Sequence, residues 1–108
     1  MPQSIRSLGA FTRSLSFSVI GKARLTLRGG IGDDNLRGDA DSNFLYGEAG
    51  RDTLTTIGTA LMEGGDDDDV ISGSDAVDSI FGGGGADRIF GRGGNDGLLG
   101  QEGNDTID

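Results

Sequence analysis

The feature that most constrains this chain is a nine-residue period that runs from Gly29 to Asp108. The stretch divides into nine consecutive units, of which one, residues 56–63, is a residue short. Position one is glycine in every unit except the short one, and position eight is always apolar. The position-eight residues are Leu36, Leu45, Leu54, Met62, Ile71, Ile80, Ile89, Leu98 and Ile107. Self-similarity at a fixed period is the signature of a solenoid of stacked repeats.

Position six carries a second regular signal, because it is aspartate in seven of the nine units. The exceptions are Asn43 and Ala60. A tract rich in glycine and aspartate is more often a disordered linker. A linker has no reason to keep an apolar residue and an acid at fixed positions, so the pattern favours a folded array.

The period also sets the local structure of each unit. The last three residues, such as Arg88-Ile89-Phe90, are typical of a short strand, and the glycine-rich first six are typical of a tight turn. Two units then make one flattened coil, and stacked coils place their strands in two parallel sheets. The sequence therefore predicts an all-β fold of about nine nonapeptide units with the position-eight side chains inside.

The charge of the array indicates that it needs a partner in order to fold. Residues 29–108 hold all 18 acidic residues of the chain and four arginines, a net charge of −14. The chain is only 33% hydrophobic and contains 22 glycines, so the core is thin and the cost of ordering the backbone is high. Such an acidic segment argues against nucleic acid as a partner, and it predicts a bound cation that supplies folding free energy.

The available ligands indicate which cation this is. The chain has no cysteine and no histidine, which removes the usual ligands of transition metals. Carboxylates and loop carbonyls remain, and these hard oxygen donors suit Ca²⁺. Mg²⁺ is less well matched, because it demands a tight octahedron and keeps its waters.

These units resemble the RTX, or hemolysin-type, calcium-binding repeat, GGxGxDxUx, in which U is a large aliphatic residue. Residues 82–90 and 29–37 match it at every defined position, and residues 91–99 depart only at Arg92. The resemblance implies a parallel β-roll. In such a roll, Ca²⁺ lies between the turns of adjacent coils, bound by position-six aspartates of two units and by loop carbonyls.

Carried onto this chain, the resemblance implies metal ligands on both sides of the roll. Alternate units share a side, and the implied carboxylate ligands are Asp34, Asp52, Asp69, Asp87 and Asp105 on one side and Asp78 and Asp96 on the other. The implied loop carbonyls are those of Gly82, Gly84, Gly91 and Gly93.

Neighbouring carboxylates on the same side define the expected pairs, which are 34/52, 52/69, 69/87 and 87/105 on the first side and 78/96 on the second. We therefore expect about five good sites. Sites that would use Ala60 are expected to be empty or weak, with a bulge or kink near Thr56–Glu63. Solvated loop acids are expected at Asp33, Asp39, Asp41 and Asp75, and in the run Asp66 to Asp68.

Residues 1–28 differ from the array, because they carry five basic residues and no acid. Apolar residues alternate at 15–19 and again at 25–27, which predicts two short strands. We interpret the segment as a cap over the open end of the roll, with residues 1–13 partly disordered. A membrane-surface or transit segment is the alternative. At the other end the array stops without a cap, which is typical of a fragment or a truncated reading frame.

The expected function is calcium-induced folding of a secreted bacterial protein, exported by a type I system to the calcium-rich exterior. Catalysis by these residues is not expected, since the sequence has neither a GxSxG nor an HExxH motif, and an EF-hand-like start at Asp39 fails at Phe44 and Gly50. The alternatives are the C-terminal part of an RTX protease, lipase or hemolysin, and an element of a surface adhesin. Calcium ions are the expected partners, together with missing domains of a larger protein and without a membrane span.

Overall fold

The computed structural model of the chain describes residues 3–5, 16–19, 24–39 and 41–108, and every regular element in these ranges is a β-strand. The strands are β1 Gln3–Ile5, β2 Ser16–Val19, β3 Arg24–Ile31, β4 Asn35–Gly38, β5 Ser42–Ala49, β6 Thr53–Thr56, β7 Thr59–Gly65, β8 Val70–Ser72, β9 Asp78–Gly83, β10 Arg88–Phe90, β11 Gly97–Gln101 and β12 Thr106–Ile107. Among the described residues no helix is long and apolar enough to cross a membrane.

The strands form two parallel six-stranded sheets, which confirms the predicted all-β roll. One sheet has the order β1-β3-β5-β7-β9-β11, and the other has the order β2-β4-β6-β8-β10-β12. Consecutive strands alternate between the sheets, so two units complete one turn of the solenoid. The repeats make about four turns, so the expected figure of about nine units is too high as a count of turns.

The register of the sheets stacks equivalent repeat positions on one another. Leu36 pairs with Leu54, and Leu54 pairs with Ile71, each at position eight. The even strands β8 and β10 have the predicted length of three residues. The odd strands β5 and β7 are longer, because the ladder continues into the next unit, where Glu48 pairs with Gly65.

The position-eight side chains fill the space between the two sheets, as predicted. The fully enclosed members, each with an exposed fraction of at most 2%, are Leu36, Leu45, Leu54, Met62, Ile71, Ile80 and Ile89. Leu27, which pairs with Leu45 from the strand before the array, is enclosed to the same degree. Leu98 is only partly buried, and Ile107 is 47% exposed, which departs from the prediction. Ile107 lies on β12, which pairs with β10 alone and has no strand stacked on its other edge.

Position six lies on the same inner face as position eight. The two positions are two residues apart, and side chains two residues apart on a strand share a face. As a result Asp34, Asp52, Asp69, Asp78 and Asp87 are buried, each at most 2% exposed. The interior is therefore a central apolar column, flanked on one side by four buried carboxylates and on the other by Asn43, Ala60 and Asp78.

The short unit changes the turn and leaves the strands continuous. β7 pairs with β5 at an offset of 17 residues, as in Leu45 with Met62, and with β9 at 18, as in Met62 with Ile80. Each ladder keeps a single offset along its length. The irregularity expected near Thr56–Glu63 is therefore taken up by residues 57–58, between β6 and β7.

The two strands predicted before the array are present as β2 and the first part of β3. β2 pairs with β4, and β3 pairs with β1 and β5, so both extend the sheets of the roll. The assignment of residues 1–28 as a cap stays a prediction. Of residues 1–13, which are expected to be partly disordered, the structure describes only β1. For the others this expectation lies outside the described residues.

The enclosed apolar column predicts a large difference between inner and outer aliphatic residues. Replacing Ile71, which is 0% exposed, by alanine should destabilise the calcium-loaded chain by about 2–5 kcal/mol through lost burial and a residual cavity. Val77→Ala is the control, because Val77 is 53% exposed, and it should cost less than about 0.5 kcal/mol. Urea unfolding in excess calcium measures both. Equal losses would contradict an enclosed apolar column.

Candidate metal centre

The turns between strands form two rows along the edges of the roll. We define the first turn row as residues 29–34, 47–52, 64–69, 82–87 and 100–105. We define the second turn row as residues 38–43, 56–60, 73–78 and 91–96. Each row presents its position-six residues to one another across successive coils, which brings together the carboxylates that the sequence pairs.

Hydrogen bonds connect the position-six residues of the first turn row into a ladder. In each step the backbone N–H of one aspartate donates to Oδ1 of the aspartate one coil further on. The N–O distances are 2.9 Å for Asp34 to Asp52, 2.7 Å for Asp52 to Asp69, 2.8 Å for Asp69 to Asp87 and 2.9 Å for Asp87 to Asp105. The four predicted pairs of this row are therefore adjacent in space.

The second carboxylate oxygen, Oδ2, points toward the position-one glycine of its own unit. A Cβ placed on Gly64 would overlap Asp69 Oδ2 and would lie 2.6 Å from the carbonyl oxygen of Gly82. The equivalent Cβ on Gly82 would overlap Asp87 Oδ2 and lie 2.8 Å from the carbonyl oxygen of Gly100. Glycine is therefore required at position one of these first-row units, and a carboxylate oxygen and a carbonyl oxygen approach the same point there.

Three of these inner oxygens have no hydrogen-bond partner among the described residues. Oδ2 of Asp52, of Asp69 and of Asp87 is buried and accepts no hydrogen bond. A buried carboxylate oxygen without a donor or a counter-charge is costly, and such groups in proteins are normally paired or coordinate a metal. The first turn row thus offers unsatisfied anionic oxygens at regular intervals.

Burial also changes the acidity of these groups. Removal from water raises the pKa of Asp69 from 3.8 to about 8 and that of Asp52 from 3.8 to about 7. The hydrogen bond that each Oδ1 accepts from a backbone N–H lowers the pKa, but by less than burial raises it. The neighbouring aspartates raise the pKa further. The pKa of Asp87 is raised as well, chiefly by burial. Without a cation these residues resist ionisation.

The donor set fits a hard divalent cation. Among the described residues no group of three or more acidic side chains converges on one point, so carboxylates alone do not complete a coordination shell. The position-one carbonyl oxygens beside Oδ2 supply the additional ligands that the geometry offers. Mixed carboxylate and carbonyl oxygens are the ligands that Ca²⁺ takes in flexible loops.

A model of one protein family matches most of the repeat array. Its description is RTX calcium-binding nonapeptide repeat (4 copies), and the matched residues are 26–55, 63–98 and 72–107. The chain belongs to the RTX calcium-binding repeat family. Membership indicates that this β-roll binds calcium, and it agrees with the oxygen-only donor set. The RTX match omits residues 56–62, which coincide with the short unit.

Two further comparisons add nothing to this identification. No curated protein and no solved structure matches the RTX chain. The family and the geometry therefore rest on the repeat match and on the structure itself.

The remaining predicted ligands lie in less regular surroundings. Asp78 and Asp96 are adjacent, because the Asp78 N–H donates to Asp96 Oδ1 at 2.9 Å, and Asp96 is half-buried. The carbonyl oxygen of Gly91 is placed like that of Gly82, because it would lie 2.8 Å from a Cβ on Gly73, the position-one glycine of the preceding coil.

The two position-three glycines differ from the position-one glycines. A Cβ on Gly84 would lie 3.8 Å from Asp66 Oδ1, and one on Gly93 would lie 3.2 Å from Asp75 Oδ1. Both glycines therefore face a loop acid of the preceding coil instead of a position-six carboxylate.

Several loop acids have a role that the repeat pattern alone does not reveal. Asp33 Oδ1 accepts the Arg51 N–H at 2.9 Å, and Asp68 Oδ1 accepts the Ala86 N–H at 2.8 Å. Both contacts join position five of one coil to position five of the next. The expectation of merely solvated acids is therefore too simple for Asp33 and Asp68, although both are exposed. Their shared repeat position is the signal that would have indicated the contact.

The raised pKa values predict that acid stabilises the metal-free roll. Folding takes up protons between the unfolded pKa of 3.8 and the folded pKa of about 8 for Asp69. Stability is therefore highest at the acidic end of this range and is lost as the pH rises through the folded pKa values. In calcium-stripped buffer, far-ultraviolet circular dichroism should show more sheet at about pH 5.5 than at about pH 8.5. The reverse order would contradict the assignment of these buried carboxylates.

Proposed function

We propose that this chain is a calcium-dependent folding module of a secreted bacterial protein and that its principal ion sites lie along the first turn row. The observation that carries this proposal is the set of buried Oδ2 atoms without a donor at Asp52, Asp69 and Asp87. Asp34 and Asp105 extend the same ladder at its two ends. Five carboxylates in a row with four connecting hydrogen bonds give four shared sites.

In the folded roll, the residues of the chain define each site. The backbone N–H of one aspartate holds Oδ1 of the next, which fixes the carboxylate and leaves Oδ2 directed at a glycine carbonyl of the neighbouring coil. These oxygens would be the ligands of a bound Ca²⁺, which would supply the missing positive charge. Binding to a site that the unfolded chain does not have adds directly to the folding free energy.

The distribution of charge suits a chain that is exported unfolded. The net charge of −14 over residues 29–108 favours an expanded chain wherever calcium is scarce. RTX repeats occur in proteins that type I systems secrete, so we place this module outside the cell. A role as the repeat part of a larger RTX enzyme, toxin or adhesin is compatible with this proposal, and we assign no catalysis to the described residues.

A calcium titration followed by far-ultraviolet circular dichroism tests the proposed function. The chain should change from a coil-like to a sheet-rich spectrum with cooperative dependence on calcium, and Mg²⁺ at the same concentrations should not reproduce the change. A chain whose spectrum ignores calcium, or responds equally to Mg²⁺, would contradict the proposal.

The same titration applied to two variants separates buried from exposed aspartates. Asp87→Asn should raise the calcium midpoint about tenfold, equivalent to about 1.4 kcal/mol, because Asp87 is shared by two sites. Asp33→Asn is the control, since Asp33 is exposed and holds only a backbone N–H, and it should shift the midpoint less than about twofold. Similar shifts for both variants would reject the ligand assignment.

A further inference from the structure

The second turn row follows a different backbone path from the first. In every turn of the first row, positions two and four both have positive φ. These residues are Gly30 and Gly32, Glu48 and Gly50, Gly65 and Asp67, Gly83 and Gly85, and Gln101 and Gly103. In the second row only the turn 91–96 has this pattern, at Arg92 and Gly94. No described residue of turns 38–43, 56–60 and 73–78 has a positive φ.

In turn 73–78 the carboxylate of Asp78 has donors on both of its oxygens. Oδ1 accepts the Ala60 N–H at 2.8 Å, and Oδ2 accepts the Ser74 N–H at 2.7 Å. The Ser74 hydroxyl lies 3.2 Å from the same Oδ2. In contrast, Oδ2 of Asp69 and of Asp87 accepts no hydrogen bond. Ser74 occupies position two, where the motif has glycine, so the substitution brings a hydroxyl donor to this oxygen.

In turn 56–60 a side chain fills the place that the motif leaves empty. Thr56 stands at position one, where the other units have glycine, and it is only 5% exposed. Its hydroxyl lies 3.0 Å from the Gly58 carbonyl oxygen and 3.3 Å from that of Gly38. The Asn43 amide, which is fully buried, donates to the Thr56 hydroxyl at 2.9 Å and to the Thr59 carbonyl oxygen at 3.3 Å.

These contacts join three coils into one network. The Gly58 carbonyl oxygen lies within hydrogen-bond distance of both the Thr56 hydroxyl and the Ser74 hydroxyl, the latter at 3.1 Å. We define the hydroxyl–amide clasp as Asn43, Thr56, Ser74 and Asp78. The clasp carries a single carboxylate, since position six is Asn43 in one turn and Ala60 in the next. The strong repulsion among like charges in the first row is therefore absent from the clasp, and its buried polar groups are satisfied by the chain itself.

We infer that the hydroxyl–amide clasp closes its three turns of the second row without calcium, so that calcium sites are confined to the first turn row. Asp78 is then a hydrogen-bond acceptor that positions Ser74 and Ala60, and the expected fifth site between Asp78 and Asp96 does not form. This inference rests on the proposed function, because it assigns the calcium sites of the same roll to one of its two edges.

The number of calcium ions bound per chain tests the inference directly. Equilibrium dialysis of the wild-type chain at saturating calcium should give four ions, one for each connected pair of the first row. Asp87→Asn should lower the number to about two, since that residue belongs to two pairs. Asp78→Asn should leave four ions. Because Asp78 is buried and its replacement can impair folding, Asp96→Asn, at a half-buried position, is a second variant that should also leave four.

The possible outcomes separate this inference from the proposed function. Five ions on the wild-type chain, or the loss of an ion in Asp96→Asn, would overturn the inference and leave calcium binding by the first row intact. A wild-type chain that binds no calcium would overturn the proposed function and the inference together. Four ions in the wild type and in Asp96→Asn, with a reduced number in Asp87→Asn, would support both.

Discussion

The burial of neighbouring carboxylates away from water is the constraint on which this structure depends. The ladder of the first turn row places aspartates one coil apart, each holding the next through a backbone N–H. At Asp52, Asp69 and Asp87 the arrangement fixes one carboxylate oxygen and leaves the other buried without a donor. Burial of these carboxylates and, to a smaller degree, repulsion between neighbours cost free energy in the metal-free chain, and both effects raise the pKa of Asp52 and of Asp69. A cation bound between these carboxylates would turn this cost into a favourable contribution to the free energy of folding.

The apolar column and the two turn rows contribute differently to the fold. One aliphatic residue per unit gives a continuous but narrow core, enclosed between two parallel sheets. In the proposed function the first turn row carries the calcium dependence, because the buried Oδ2 atoms of Asp52, Asp69 and Asp87 need a counter-charge. The hydroxyl–amide clasp gives part of the other edge a set of hydrogen bonds within the chain, with a single carboxylate among them. In the account proposed above, calcium binding and local hydrogen bonding stabilise opposite edges of one roll.

Much of the fold follows from the sequence, because a period of nine residues fixes both the stacking and the inward position of residues such as Ile71 and Ile80. The pairing of Asp69 with Asp87 follows from the same period, since equivalent positions meet one coil apart. The clasp could not be predicted in this way. In the sequence, Thr56 and Ser74 are simply departures from the glycines of the motif. Their partners are carbonyl and carboxylate oxygens that come within reach only when the coils stack.

The dimensions of the chain with and without calcium test the central claim most directly. Small-angle X-ray scattering in chelator at neutral pH should give a radius of gyration near that of an unfolded chain of this length, about 33 Å. In excess calcium the radius should approach the 12.4 Å of the folded chain. A radius close to the folded value in chelator would show that the carboxylate column needs no cation, and it would contradict calcium-dependent folding of this roll.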